Sequence, residues 1–289
     1  MPRTPDPGAV VVTGASKGIG RACALRLDRR GFRVFAGVRR AADGDALRAE
    51  GSDRLTPIHL DVTDADAIAA AADAVAAAEN AGLAGLINNA GIAIAGPLEF
   101  LPPDALRRQL EVNVVGLVAV TQAFLPLLRR GRGRIVNIGS IAGVSALPFV
   151  GAYAASKHAV EALTDALRIE LLPWGMQVAV IEPGGIATPI WETSIETAER
   201  LARDYPPEAE AYYGTAMEAV RRAAEHAAQH GGSPDSVARA VEHALTAARP
   251  RTRYLVGADA RLRAALRFLP DRLRDRLIAW RLGHGRTDR

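Results

Sequence analysis

The sequence predicts one doubly wound α/β domain: a parallel β-sheet covered by helices on both faces, with a helical lid beside it. Three observations lead there. Short apolar, β-branched runs alternate with helix-like segments through residues 9–184. The connections between them are short, with no linker and no internal repeat. The chain has 289 residues, 49% hydrophobic and 24% charged, enough to bury one sizeable core.

"AVVVTG" (9–14) is the first strand, and a helical pattern follows over 18–30. "FRVFAGV" (32–38) is the second strand, with a short helical piece at 46–50. "RLTPIHLDV" (54–62) is the third, broken by Pro57. Asp64 caps the next helix, whose Ile68 and Val75 share one face and which stops at Gly82. "LAGLINNAG" (83–91) is a fourth strand and 104–128 one long helix. "GRIVNIGS" (133–140), a helix over 152–172 and "MQVAVIEPG" (176–184) complete six strand units. In such sheets ligands lie beyond the carboxyl ends of the strands.

The first of those ends carries "TGASKGIG", with Gly14, Gly18 and Gly20 opening a helix. Glycines there permit positive φ and close approach of a pyrophosphate, which the helix N-terminus meets with free N–H groups. The context is that of a dinucleotide site, although the spacing is G-x-x-x-G-x-G. An acid for the 2′-hydroxyl of NAD normally ends the second strand, about 20 residues after the glycines. Here Val38 stands there, followed by Arg39 and Arg40. Lys17 approaches the same ribose from the glycine turn, and two converging cations suit a 2′-phosphate. NADP(H) is therefore preferred, with NAD(H) as the alternative; the plainer account of the arginines is solvated surface charge.

Ser140 ends the fifth strand, and Tyr153 and Lys157 follow at i and i+4 on the next helix. A free tyrosine has a pKa of ~10 and is a poor acid–base catalyst at neutral pH. A lysine ammonium ~4 Å away, at an effective dielectric of ~20, favours the phenolate by ~4 kcal/mol. Lysine is rare in this chain: Lys17 and Lys157 are its only two among 36 basic residues. A compact ammonium fits between a phenol and a ribose where a planar guanidinium does not.

Taken in order, "TGASKGIG" (13–20), Asp61-Val62, "NNAG" (88–91), Asn113 in "EVNVVG", Ser140, "YAASK" (153–157) and "PGGIAT" (183–188) resemble the short-chain dehydrogenase/reductase family, over about residues 8–190. That resemblance implies a Rossmann-type oxidoreductase in which Tyr153 is the general acid–base. Lys157 would lower its pKa and hold the nicotinamide ribose, Ser140 would polarise the carbonyl, and Asn113 would hold a water of the proton relay. Cofactor contacts are implied for Gly14, Ser16, Lys17, Gly18, Ile19, Gly20, Arg39, Asp61 and Val62. They are implied further on for Asn89, Ala90, Gly91, Tyr153, Lys157, Pro183, Gly184, Ile186 and Thr188. Gly185 departs mildly from the family pattern, standing where a larger residue is common.

Residues 189–232 would form the family's substrate lid. Trp191 and the lid aromatics, with Leu147 and Phe149 and the polar Ser140 and Tyr153, point to a hydrophobic ketone, aldehyde or alcohol; packing of the lid onto the body is the plainer account. "RVFAGVR" and "RYLVG" resemble retinol- and hydroxysteroid-dehydrogenase-like members, which fits a lipophilic substrate. His226 and His230 lack a third ligand, and no metal is expected. The long helices are the family's usual dimer and tetramer surfaces, so a homodimer or homotetramer is expected.

A domain over 1–258 would thus be followed by a basic amphipathic extension over 259–289. The last stretch, 249–289, carries 12 Arg against 4 Asp, a net of +8; with the whole chain at +4, residues 1–248 sum to −4. Basicity confined to a tail, with 5% aromatics, argues against nucleic acid. The tail fits packing against protein better than a membrane surface. The single Cys23, the polar N-terminus and the lack of an unbroken apolar run of ~18–20 residues lead to a cytoplasmic expectation. Two other classes compete with the enzyme: a non-catalytic NADP(H)-binding sensor or scaffold, and a membrane-surface binder using the tail.

Overall fold

The computed structural model describes residues 7–281. Its elements run β1 (Ala9–Val12), α1 (Gly18–Arg29), β2 (Arg33–Val38), α2 (Ala41–Arg48), β3 (Leu55–His59), α3 (Ala65–Ala78), β4 (Leu83–Asn88) and α4 (Pro103–Leu110). A π-helical turn, Glu111–Val115, joins α4 to α5 (Gly116–Gly131). There follow β5 (Arg134–Ile138), α6 (Gly151–Glu170), β6 (Gln177–Pro183), α7 (Ile190–Ala202), α8 (Pro207–His230), α9 (Pro234–Thr246), β7 (Arg253–Val256), α10 (Ala258–Leu266) and α11 (Asp271–Arg281).

All strands are parallel in one sheet ordered β3-β2-β1-β4-β5-β6-β7. The chain reverses direction across the sheet between β1 and β4, which opens the ligand crevice at their carboxyl ends. Strand periodicity divides the core into two layers. Val10, Val12, Ile87, Val136 and Ile181 join α1 and α9 on one face. Ala9, Val11, Leu86, Ile135 and Val178 join α3 and α5 on the other. Pro57 is accommodated because β3 is an edge strand, pairing only with β2. Asp64 caps α3 as expected, accepting from the N–H groups of Asp66 and Ala67.

Three differences from the sequence reading have physical causes. The helix over 104–128 carries a π turn within it, which widens the backbone around Asn113. By length and composition the continuous helix Pro103–Gly131 is apolar enough to cross a membrane. Leu117, Val120, Phe124, Leu127 and Leu128 turn one side of it into the core. A seventh strand, β7, extends the sheet beyond β6; four residues between polar turns give little periodicity to read.

Candidate active site

The turn after β1 is built for close approach. Gly14 and Gly18 take φ of 62° and 58°, and a Cβ on Gly20 would sit 2.2 Å from the Gly14 carbonyl oxygen. Asn89 locks this turn from β4, its side-chain amide donating to the Thr13 and Gly14 carbonyls at 2.9 and 3.0 Å. Thr13 Oγ1 accepts in return from the N–H groups of Asn89 and Ala90, both at 2.9 Å. No side chain caps the N-terminus of α1 and no acid lies in its first turn. Its N–H groups are thus open to an anion, and these residues fit a dinucleotide pyrophosphate.

Around the crevice the other predicted cofactor residues gather by element. Thr188 reaches across from the turn after β6, its Cγ2 lying 3.2 Å from the place of a Gly18 Cβ. Ile186 is buried in the core layer that includes Ala15, with Ile19 packed against that layer; Val62 lies in the opposite layer. Ser16 is half-buried and Lys17 exposed at the glycine turn. Gly91, exposed, lies against Asn113. Burial pushes the Asp61 carboxyl up, but the Thr63 N–H and hydroxyl, Arg39 and Arg108 outweigh it and hold the group below its usual range. Of the two arginines after β2, Arg40 is drawn to Asp43 of its own helix at 3.0 Å, leaving Arg39 the one beside Asp61.

The reactive groups converge where β5 meets α6. Asn113 Oδ1 accepts from the Ile92 N–H at 2.9 Å, and Nδ2 donates to the Ile92 carbonyl and to Ser156 Oγ, both at 3.0 Å. Ser156 donates onward to the Tyr153 carbonyl at 2.7 Å, so the π turn is tied to the tyrosine's backbone. Buried Lys157 donates from Nζ to the Ile138 carbonyl at 2.7 Å and lies 5.7 Å from the centre of the Tyr153 ring. Below them Asn88, Thr121, Asn137 and Thr164 form a buried ladder joining β4, α5, β5 and α6, each link 2.9 Å.

The electrostatics differ from the simple lysine argument. Burial pushes the Tyr153 phenol above its ordinary range, against smaller lowering by the facing Ser140 hydroxyl and the Arg263 guanidinium. Lys157 is itself pushed down to about 8 by burial, with Glu161 opposing. The lysine donates to the β5 carbonyl, and the groups that lower the phenol are Ser140 and Arg263.

Of the residues expected to line the substrate, Leu147 is half-buried and Phe149 is buried with φ 65°, a left-handed backbone rare for an aromatic. Phe149 stacks edge-on with Tyr213 of α8 at 5.8 Å, and Phe100 meets Tyr205 and Tyr213 at 6.0 Å. Much of the aromatic surface of residues 189–232 thus packs onto the body. Trp191 is anchored by its indole N–H to the Ile186 carbonyl at 2.7 Å. His226 and His230 stack on the exposed face of α8. Thr13, Gln109 and Ser156 are further site-building residues. Gln109 pairs with the Ile92 carbonyl and Ile94 N–H at 2.8 Å, and only the motifs around Thr13 and Ser156 offered a signal.

Comparison with known proteins agrees with this geometry. The sequence profile described as short chain dehydrogenase matches residues 8–199. Mouse (Mus musculus) retinol dehydrogenase 5 is 39% identical, over 94% of this chain and 87% of its own length. The NADPH-dependent 3-dehydrocapnine reductase of Ornithobacterium rhinotracheale is 35% identical over 93% and 95%. Among solved structures, a short chain dehydrogenase from Burkholderia cenocepacia in complex with NADP superimposes with a TM-score of 0.69 at 30% identity, covering 95% and 96% of the two chains. A short chain dehydrogenase/reductase from Burkholderia phymatum in complex with NAD gives 0.76 at 27%, covering 98% of each. This chain belongs to the short-chain dehydrogenase family. It is accordingly an NAD(P)-dependent oxidoreductase acting on CH–OH and C=O groups.

Proposed function

We propose that the protein uses NADP(H) in preference to NAD(H) and interconverts a hydrophobic ketone or aldehyde with its alcohol, with Tyr153 as general acid–base. The observation that carries this reading is the convergence of Ser140, Tyr153 and Lys157 beyond β5, with Asn113 held against the same helix by Ser156. When bound, the dinucleotide supplies or accepts the hydride. The chain's own groups do the rest. Ser140 directs its hydroxyl to the substrate oxygen, and Tyr153 gives that oxygen a proton in reduction or takes one in oxidation. Lys157 supports the phenolate and offers its ammonium to a ribose, and Asn113 steadies the relay from the π turn.

Three lines support NADP(H): Val38 in place of an acid, exposed Lys17, and exposed Arg39 beside Asp61. The reductase relative named as NADPH-dependent points the same way. A hydrophobic substrate is supported by Phe149, Leu147 and Trp191 at the lid and by the retinol dehydrogenase relative. We further propose a homo-oligomer formed through α5 and α6, next to which Val115, Ile169, Leu172 and Trp174 expose apolar surface.

Turnover measured on a panel of retinoids, sterols, acyl ketones and aromatic ketones with NADPH and NADH tests the reading. Tyr153→Phe is expected to lose roughly 10²–10⁴-fold in rate with NADP(H) binding nearly intact. Residual activity within tenfold would sink the acid–base role, and stronger thermal protection by NADH than by NADPH would sink the cofactor assignment.

A further inference from the structure

After β7 the chain turns at Gly257, with φ 108°, into α10. Asp259 and Arg263 are i and i+4 on that helix and share one face, with fully buried Ala260 seating it on the body. Asp259 Oδ2 accepts from the Gly185 N–H at 2.7 Å, in the turn after β6. Its carboxylate lies so close to Gly184 that a Cβ there would meet both oxygens at 2.2 Å. One turn on, Arg263 Nη2 donates to the Ser145 carbonyl at 2.5 Å. Ser145 is buried and bonds back to Ile141, in the turn that begins at Ser140. One short helix is therefore fastened at two points to the turns after β5 and β6.

We propose that Arg263 is a positioning residue of the active site: α10 braces the two turns that flank Tyr153, and its guanidinium sets a second fixed cation beside the phenol. This rests on the reading of Tyr153 as the acid–base group. The charges around that phenol come from several elements. Lys157 lies on its own helix, with Glu161 one turn beyond and Asp165 after it. Ser140 faces it from the end of β5, and Arg263 and Asp259 come from α10. Behind the lysine stand Glu182 of β6, Arg253 of β7 and Arg267. Burial works against the Lys157 charge, and Glu161 works to keep it. A guanidinium stays charged at every working pH, so Arg263 favours the phenolate where the lysine's charge is failing.

The test uses the full chain saturated with NADP⁺. Tyrosinate absorbance is titrated against pH, and the same titration of Tyr153→Phe is subtracted to isolate the one phenol. In Arg263→Gln the Tyr153 midpoint is expected to move to higher pH by roughly half to one unit, a three- to tenfold change in proton affinity. Arg263→Lys should keep the midpoint near that of the parent chain. Should the glutamine variant melt early, Arg263→Met, which keeps the aliphatic stem, carries the same expectation. An unshifted midpoint overturns the proposal, as does an equal shift in the lysine variant, because that outcome reports shape rather than charge. Turnover by Tyr153→Phe at the parent rate would instead overturn the tyrosine reading beneath it.

Discussion

Gly184 and Gly185 are adjacent and stand under opposite constraints. At 184 any side chain would collide with the Asp259 carboxylate, whereas a Cβ at 185 would meet Ala227 and Asp259 at an ordinary 3.7 Å. Gly185→Ala should therefore raise stability by about 0.4–1 kcal/mol through the unfolded chain, read as a higher melting temperature. Gly184→Ala should lower it and detach α10. The family pattern often has a larger residue at 185, and the space beside it shows that one fits. At this scale the proposed catalytic pair could be read from the sequence because Tyr153 and Lys157 are one turn apart on one helix. Asp259 and Arg263 were not, since their partners lie 74 and 118 residues away in the chain. No local pattern encodes such a pairing.

At the scale of elements, sequence signals worked where a single segment contains both the cause and the effect. The α3 cap is one case: Asp64 accepts from Asp66 N and Ala67 N, and removing it in Asp64→Ala should cost about 1 kcal/mol. Denaturant unfolding would register this as a lower midpoint, and an unchanged midpoint would show that the cap adds nothing. The π turn at Glu111–Val115 is a contrary case. Its cause is Asn113 reaching Ile92 and Ser156, contacts that hydrophobic periodicity does not encode. β7 escaped for a similar reason: it is a strand because β6 offers an edge to pair with.

Across the whole molecule the acidic body and the basic tail meet inside the fold. Arg253 reaches Glu161 at 3.2 Å, Asp165 at 2.7 Å and Glu182 at 3.4 Å. Burial pushes Glu161 up to about 7, with Glu182 adding to the rise and Arg253 opposing it. Glu182 is raised by burial as well. Between the ordinary 4.5 of an unfolded glutamate and about 7, the folded chain holds a proton that the unfolded chain has released. Stability through this group therefore falls as pH rises across that window. Glu161→Gln removes the titration, so its melting temperature relative to the parent should rise between pH 5 and pH 8. A difference independent of pH would show that Glu161 titrates normally.

The segment proposed as the substrate lid leaves and re-enters the body at one place. Ile186 bridges to Gly232, the Gly232 N–H donates to Gly185 at 2.8 Å, and the Ala187 N–H donates to Gly232 at 2.9 Å. The stretch between, including α7 and α8, enters and leaves through that stitch and rests on the body through Tyr205 and Tyr213, which meet Phe100 and Phe149. Such an insert behaves as a cassette. Its length and lining can be exchanged, in nature or at the bench, while the sheet, the glycine turn and the α10 brace keep their places. On the proposed function, substrate range and hydride chemistry are then separately adjustable parts of one chain.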